Sequence, residues 1–410
     1  DAVGPAELAQ LQAQGVVAVV TSTGSMLSHS AILARSLHIP LVVGAHEALA
    51  RINDGDALMV DGGTGEVIRE PGSADLRHYH QRERALLRES RTLQRLRAAD
   101  TRTRDGVDIR LFANAESRGD VAEAHALGAA GVGLYRTEFL FLQRHQLPNE
   151  EEQFRAYRDL VLGMNGRPVT IRTLDLGADK ADGTGVVLEG EPNPALGLRG
   201  VRLSLARLPL FETQLRAILR ASGYGAVRIL IPMLSSREEM VAVRALASSM
   251  ARDLRSEGHE IGDNVEIGAM IEVPAAAIAL KGFVDQVDFV SIGTNDLVQY
   301  LLAVDRGNDA LGTLYSPLHP AVLRLLRDVI ALGIRRRLPV AVCGEMAGDA
   351  RHTRMLLALG LTDFSLHPST LLEVRQAIRD SDLGALRARA GKLLRATDRT
   401  GIERWMAEAE

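Results

Sequence analysis

From Val107 onward, strand-like and helix-like segments alternate without a break, and that alternation restricts the fold more than any other feature of the chain. Apolar, β-branched runs predict strands at 108–113, 131–135, 169–173, 228–233, 267–273, 287–292, 339–344 and 363–366. Helical patterns fall between them, at 118–127, 149–163, 209–221, 236–257, 274–282, 320–337 and 351–359. Eight strands in strict alternation with helices is the pattern of a (β/α)8 TIM barrel. A doubly wound sheet would alternate as well. The polar residues favour the barrel: Asn114, Glu116, Arg136, Glu138, Arg172, Asp175, Glu272, Asn295, Asp296, Cys343 and Glu345 all fall at or just past C-terminal strand ends. In a barrel those ends converge on one mouth.

The chain ahead of the barrel is of a different kind. Residues 1–72 read as a partial α/β domain, with a short helix at 5–14, a buried strand at 15–21, a helix at 29–38, and strands at 40–44 and 57–61. A hairpin through Asp61-Gly-Gly-Thr-Gly65 closes it at 65–68. Residues 73–104 are rich in Arg and Glu, with Leu76, Tyr79, Leu86, Leu93 and Leu96 at helical spacings. They predict a mostly solvated amphipathic helix, either a surface helix or a stiff linker between two moving parts. The barrel is expected over 105–390, and the end of the chain, 391–410, forms a helical tail outside it.

Composition narrows the function classes. With 410 residues, 46% of them hydrophobic and 24% charged, and a formal net charge of -4, the chain reads as a soluble globular protein of two domains. A near-neutral balance argues against a nucleic-acid-binding surface. Cys343 is the single cysteine, which rules out an intramolecular disulfide and fits a reducing cytoplasm. No apolar run approaches the length of about 20 residues that a membrane span needs. The acidic, alanine-rich start without an initiator Met, and the small size of the first unit, predict that this is a piece of a longer protein.

Several residues suit phosphoryl chemistry. His29 follows Gly24-Ser-Met-Leu-Ser28 at the start of a predicted helix, where backbone N–H groups and the helix dipole would welcome a phosphoryl group on the ring. The alternative is a capping or surface histidine. Glu272 and Asp296 are carboxylates at adjacent strand ends, a donor set that suits Mg²⁺ when water and a phosphorylated substrate complete it; each could instead cap a helix or pair with a base. Arg136, Arg172 and Arg306 offer planar forks for carboxylate and phosphate oxygens, which points to a small, highly anionic substrate. Cys343 ends a strand beside Gly344 and Glu345, where a thiol can hand a proton to carbon; a lone strand cysteine is also a common small hydrophobe.

Five motifs then carry a family resemblance: Gly133-Leu-Tyr-Arg-Thr-Glu-Phe-Leu-Phe141, Ile171-Arg-Thr-Leu-Asp-Leu-Gly-Ala-Asp-Lys180, Ser291-Ile-Gly-Thr-Asn-Asp-Leu-Val-Gln-Tyr300, Ala303-Val-Asp-Arg-Gly-Asn-Asp309 and Cys343-Gly-Glu-Met-Ala-Gly348. In this order they closely resemble enzyme I of the bacterial phosphotransferase system, over about Thr23 to Asp380. The resemblance implies a swivelling phosphohistidine domain before the barrel and transfer of the phosphoryl group of phosphoenolpyruvate to the enzyme's own histidine. From there it passes to the carrier protein HPr, and pyruvate is released. His29 would be the phosphorylated residue. Arg136, Arg172, Asn295, Asp296 and Arg306 would hold the substrate, Glu272 and Asp296 the Mg²⁺, and Cys343 would be the proton donor. A cytoplasmic homodimer formed through the barrel is also implied. Enzyme I has a Gly-Gly-Arg-Thr run before its Ser-His, whereas this chain has Gly24-Ser-Met26-Leu27. That variant resembles the enzyme I portion of fused multiphosphoryl transfer proteins. Pyruvate phosphate dikinases and phosphoenolpyruvate synthases share the histidine domain and barrel with a looser motif match, and a regulatory phosphoprotein of a related relay is a further alternative.

Overall fold

The computed structural model describes residues 3–24, 31, 34, 39–141, 146–177, 191–308 and 311–409. They fall into two compact units, Asp1–Arg95 with Leu302–Ser316, and Leu96–Leu301 with Pro317–Glu410. In the first unit, β1 (Val19–Val20) pairs in parallel with β2 (Leu41–Val42). β3 (Leu58–Asp61) and β4 (Glu66–Arg69) form an antiparallel hairpin. Its turn is set by the Asp61 carboxylate, which accepts the Gly63 and Thr64 N–H groups at 2.8 and 3.1 Å. The strand expected over 15–21 shrinks to its last apolar pair, because only that pair reaches β2 and Val17 is left 85% exposed.

The helix expected over 73–104 runs from Ser73 to Gln94 and buries no residue. It stops short because the chain beyond has other partners. Thr103 donates its N–H to the Val107 carbonyl at 2.9 Å, and Ile109 donates to Thr101 at 2.9 Å, closing a small antiparallel bridge in the second unit.

The second unit is the barrel. β5 (Arg110–Ala115), β6 (Val132–Tyr135), β7 (Val169–Arg172), β8 (Val227–Ile231), β9 (Glu266–Ile271), β10 (Val290–Ile292), β11 (Val340–Val342) and β12 (Asp363–Leu366) pair in parallel and close on themselves, β12 against β5 and β9 against β10. Strands buried on both faces must be apolar throughout, which is why they read as runs and not as alternations. β10 is shorter than its apolar run predicts. Ahead of it, the Asp288 carboxylate turns to Arg244 at 3.0 Å and to the Ile267 N–H at 2.8 Å. Several crossover helices begin on a side-chain cap: Ser117, Asn149 and Ser236 accept the N–H three residues on, and the acidic residue there reaches back. The last two helices, Leu383–Leu394 and Arg399–Ala409, pack on each other and on Ala350–Ala358, burying Trp405 and Ile402. Among the described residues, no helix is long and apolar enough to cross a membrane.

One buried cation secures the entry to this unit. Arg375, 1% exposed, donates to the carbonyls of Leu96 (2.7 Å), Arg97 (3.1 Å), Leu127 (2.9 Å) and Gly128 (3.0 Å) and to the Thr101 hydroxyl (3.0 Å). It ties the C-terminal end of helix Arg118–Ala126 to the segment that leads into β5. Replacing Arg375 with Met strands these carbonyls in the interior. The expected cost is at least about 4 kcal/mol, since four carbonyls lose their donor and each unmet buried polar group costs roughly 1–3 kcal/mol. A lowered urea midpoint of the barrel transition at constant slope would register it.

Candidate active site

β7 ends in Arg172, whose buried guanidinium meets Glu138 at 3.1 Å and Asp175 at 3.2 Å, while its Nε has no hydrogen-bond partner among the described residues. Glu138 opens the single turn after β6, and its Oε1 also accepts the Asp175 N–H at 2.8 Å. Asp175 in turn grips Arg199 through both oxygens, at 3.1 and 2.8 Å. Arg199 spans onward to Asp296 at 3.2 Å and to the Tyr300 hydroxyl at 3.2 Å. The result is a buried alternation of charge, Glu138–Arg172–Asp175–Arg199–Asp296, across the C-terminal ends of β6, β7 and β10. Burial works against the charge on Arg172, and Glu138, Asp175 and Glu272 outweigh it, so its pKa rises. Burial likewise opposes Arg199, and Asp175 and Asp296 hold it charged.

Glu272 follows β9 and is 2% exposed. One of its oxygens accepts the Met233 N–H at 2.6 Å. Met233, just past β8, takes a φ of 58°, in the left-handed region that costs a non-glycine residue roughly 1–2 kcal/mol. Burial, then the neighbouring charges of Asp175 and Asp296, push Glu272 well above the usual carboxylate range, with Arg172 and Arg199 pulling the other way. Asp296, buried in the first turn of helix Thr294–Leu302, is inside the helix and is not its cap.

Beside it, the Asn295 amide and Glu345 exchange hydrogen bonds: Asn295 Nδ2 donates to the Glu345 carboxylate at 3.1 Å, and the Glu345 N–H donates to Asn295 Oδ1 at 3.0 Å. Cys343 follows β11, with its thiol donating to the Ile292 carbonyl at 3.5 Å, among Leu134, Leu230, Met270 and Phe289. Burial pushes the thiol up to about 11, with the nearby Ser291 hydroxyl working against the rise, so it stays protonated at neutral pH. Asn114, in β5, donates to the Cys343 carbonyl at 3.0 Å. Arg136 directly follows β6 and pairs with Glu116; burial opposes its charge and Glu116 offsets that, leaving the pKa raised.

The structure thus links Arg172 to Asp296 through Asp175 and Arg199, and sets Glu272 and Cys343 within the electrostatic reach of Arg172. Arg306 belongs to the first unit's Leu302–Ser316 segment, in a turn where Asp305 accepts the Gly307 N–H. His29, Met26 and Leu27 lie outside the described residues. Arg199 is the residue that sequence reasoning misses. It comes from the segment between β7 and β8 and not from a strand end, and its only local mark is an arginine set in Gly197-Leu-Arg-Gly200.

Two family descriptions match the chain: "PEP-utilising enzyme, PEP-binding domain" over residues 90–383 and "PEP-utilising enzyme, mobile domain" over residues 1–65. Among curated proteins, a phosphoenolpyruvate-protein phosphotransferase of Cupriavidus necator is 46% identical over 398 residues, which cover 97% of this chain and 68% of that protein. Proteins of the same name from Staphylococcus aureus and a Bacillus species are 42% and 44% identical, covering 91% and 92% of this chain and 65% of each relative. The chain therefore spans about two thirds of the length of these relatives.

The Glu272 environment sets a pH dependence. Without a divalent cation, the native state keeps a proton that the unfolded chain loses near its ordinary value of about 4.3. The unfolded state then binds fewer protons, so this group's contribution to stability is full below that value and falls as pH rises through the raised folded one. Glu272→Gln is expected to flatten the loss of melting temperature between about pH 5 and about pH 8 in metal-free buffer, an effect that thermal melts across that range would measure.

Proposed function

Because this chain belongs to the family of phosphoenolpyruvate–protein phosphotransferases, we propose that it moves the phosphoryl group of phosphoenolpyruvate onto its own His29 and on to the histidine of HPr, releasing pyruvate. The observation that carries this reading is the buried charge alternation past β6, β7 and β10. A small ligand bearing a phosphate and a carboxylate needs guanidinium groups that are already charged and already stripped of water. In this reading Arg136, Arg172, Asn295, Asp296 and Arg306 hold the substrate, and Arg199 keeps the Asp175 and Asp296 carboxylates apart and oriented. The unsatisfied Nε of Arg172 is a donor in reserve for a substrate oxygen.

Glu272 and Asp296 would hold Mg²⁺. The fit is chemical: Glu272 is buried beside other carboxylates that resist its ionisation, a situation that a hard cation relieves. Among the described residues, no group of three or more His, Cys, Asp or Glu could hold a metal. Mg²⁺ takes one or two carboxylates and completes its shell with water and phosphate oxygens. When bound, Mg²⁺ would offset charge on the transferring phosphoryl group.

The chain's own groups then act in order. The His29 ring nitrogen attacks phosphorus as the P–O bond to the enol oxygen breaks, leaving enolpyruvate. The S–H bond of Cys343 breaks as its proton bonds to the methylene carbon; the enolate's electron pair forms that C–H bond, and the ketone of pyruvate appears. The thiolate recovers a proton from water, as its raised pKa favours. Residues 1–72 carry His29, and 73–104 act as the connector that lets it visit the barrel mouth and HPr in turn. The barrel, 105–390, pairs with a second copy in this reading.

Labelled phosphoenolpyruvate with Mg²⁺ tests the nucleophile: His29→Ala should take up no acid-labile phosphate, and uptake by that variant would reassign the acceptor. Cys343→Ala should slow pyruvate formation by about 10²–10⁴-fold, the usual worth of a general acid, with the KM for phosphoenolpyruvate nearly unchanged. A large rise in KM would make Cys343 a structural residue.

A further inference from the structure

Cys343 lies one residue beyond the ladder that should fix it. β11 pairs with β12 only as far as Val342 opposite Phe364, so strand pairing does not hold the carbonyl of Cys343. A side chain from a strand that is not its neighbour does. β5 and β11 are separated by β12 in the barrel, yet Asn114 of β5 reaches across and donates Nδ2 to the Cys343 carbonyl at 3.0 Å. Ser365, in the intervening β12, donates its hydroxyl to Asn114 Oδ1 at 2.7 Å. The amide can stand only one way round, because a carbonyl oxygen accepts and cannot donate; its NH₂ must face Cys343 and its oxygen must face Ser365. Room for the Ser365 hydroxyl comes from β6, where a Cβ on Gly133 would sit 2.4 Å from Ser365 Oγ.

The other side of the same residue is equally fixed. The Cys343 N–H donates to the Ile292 carbonyl at 3.0 Å, and the Asn295–Glu345 exchange holds the residue two positions on. Between them, a Cβ on Gly344 would lie 1.9 Å from the Thr294 hydroxyl oxygen and 2.7 Å from its backbone nitrogen, so no side chain fits there. The end of β10 and the helix that follows it therefore hold the chain before and after Cys343, and Asn114 with Ser365 braces the Cys343–Gly344 peptide through its carbonyl.

We propose that Asn114 and Ser365 are positioning residues for carbon protonation: together they orient the Cys343–Gly344 peptide so that the thiol meets one face of the enolpyruvate methylene. This rests on the reading of Cys343 as the proton donor. The reason for such a brace is geometric. Transfer of a proton from sulfur to carbon needs the two atoms at near-contact distance, and a misplacement of about 1 Å costs on the order of 100-fold in rate. The brace is also uncharged, so it orients the thiol without adding a charge beside it.

The test follows the methyl group of pyruvate in the full-length protein with Mg²⁺ and HPr. Phosphoenolpyruvate labelled stereospecifically at its methylene carbon with two hydrogen isotopes, turned over in water of the third, gives a chiral methyl group if protonation occurs on one face. Asn114→Ala and the near-isosteric Asn114→Asp, which cannot donate while ionised, should lower kcat for pyruvate formation by about 10–100-fold and give largely racemic methyl, with KM within about threefold. Ser365→Ala should do the same more weakly, and Asn114→Gln should not restore the parent values, because its longer arm cannot keep both bonds. Full chirality and parental kcat in both Asn114 variants would overturn the inference, as would a rise in KM with chirality intact. Should Asn114 variants fail to fold, Ser365→Ala, which removes one oxygen, decides alone by the same readout. Cys343→Ala separates this inference from the reading beneath it: chiral methyl from that variant removes Cys343 as donor, whereas racemic methyl there with chiral methyl from Asn114→Ala defeats only the brace.

Discussion

Charge can be kept in a protein interior only where it is paired, and the mouth of this barrel is organised by that constraint. Arg172 and Arg199 are almost wholly out of water, and each is held by carboxylates on two sides. Taking such ions from water costs several kcal/mol each, and the attraction between partners offsets this only when the geometry is good and the remaining donors are used. The alternation cannot therefore be altered one residue at a time. Removing Asp175, which touches both arginines, would leave two buried cations short of a partner. It also leaves the barrel ends mutually dependent, since Glu138 comes from after β6, Asp175 from after β7 and Asp296 from after β10.

The same logic separates the two halves of the mouth. Past β6–β10 the contacts are ionic and suit recognition of a multiply charged ligand. Immediately around Cys343 the hydrogen-bond partners are neutral: the Asn114 amide donates to its carbonyl, the Ser365 hydroxyl donates to that amide, and the thiol turns to the Ile292 carbonyl. A carboxylate in the place of Asn114 would raise the thiol's proton affinity further and repel the enolate. A guanidinium would lower that affinity and draw the acid toward its inactive thiolate form. Neutral polar groups avoid both outcomes while still fixing direction.

How much of this could be read from the chain alone depends on how local each signal is. The barrel strands were legible because double burial forces them to be apolar throughout, and Arg172, Glu272 and Cys343 were legible because each ends such a run. The extent of the β10 strand was overread at 287–289, since the run gave no sign that Asp288 would turn to Arg244 and Ile267. The connector helix was overread past Gln94 because residues 95–104 are as polar and basic as those before them, and only the folded chain shows that Arg375 and the 107–109 segment claim its backbone. Arg199 was illegible: it reaches Asp175 and Asp296 from a segment with no periodicity, and no spacing rule links residue 199 to residue 296. Asn114 was visible as a polar strand end, but its bond to Cys343, 229 positions away, is a product of barrel closure.

The C-terminal helix pair has a consequence for anyone watching this protein by light. The chain has one indole, Trp405, buried between the last two helices, with its N–H on the Arg389 carbonyl at 3.1 Å and the Arg389 guanidinium over its ring at 5.6 Å. Its emission reports on the docking of that helix pair and not on the barrel mouth, where the chromophores are phenols such as Tyr300 beside Arg199. Optically, the protein announces whether its tail is in place and is nearly silent about whether its site is filled.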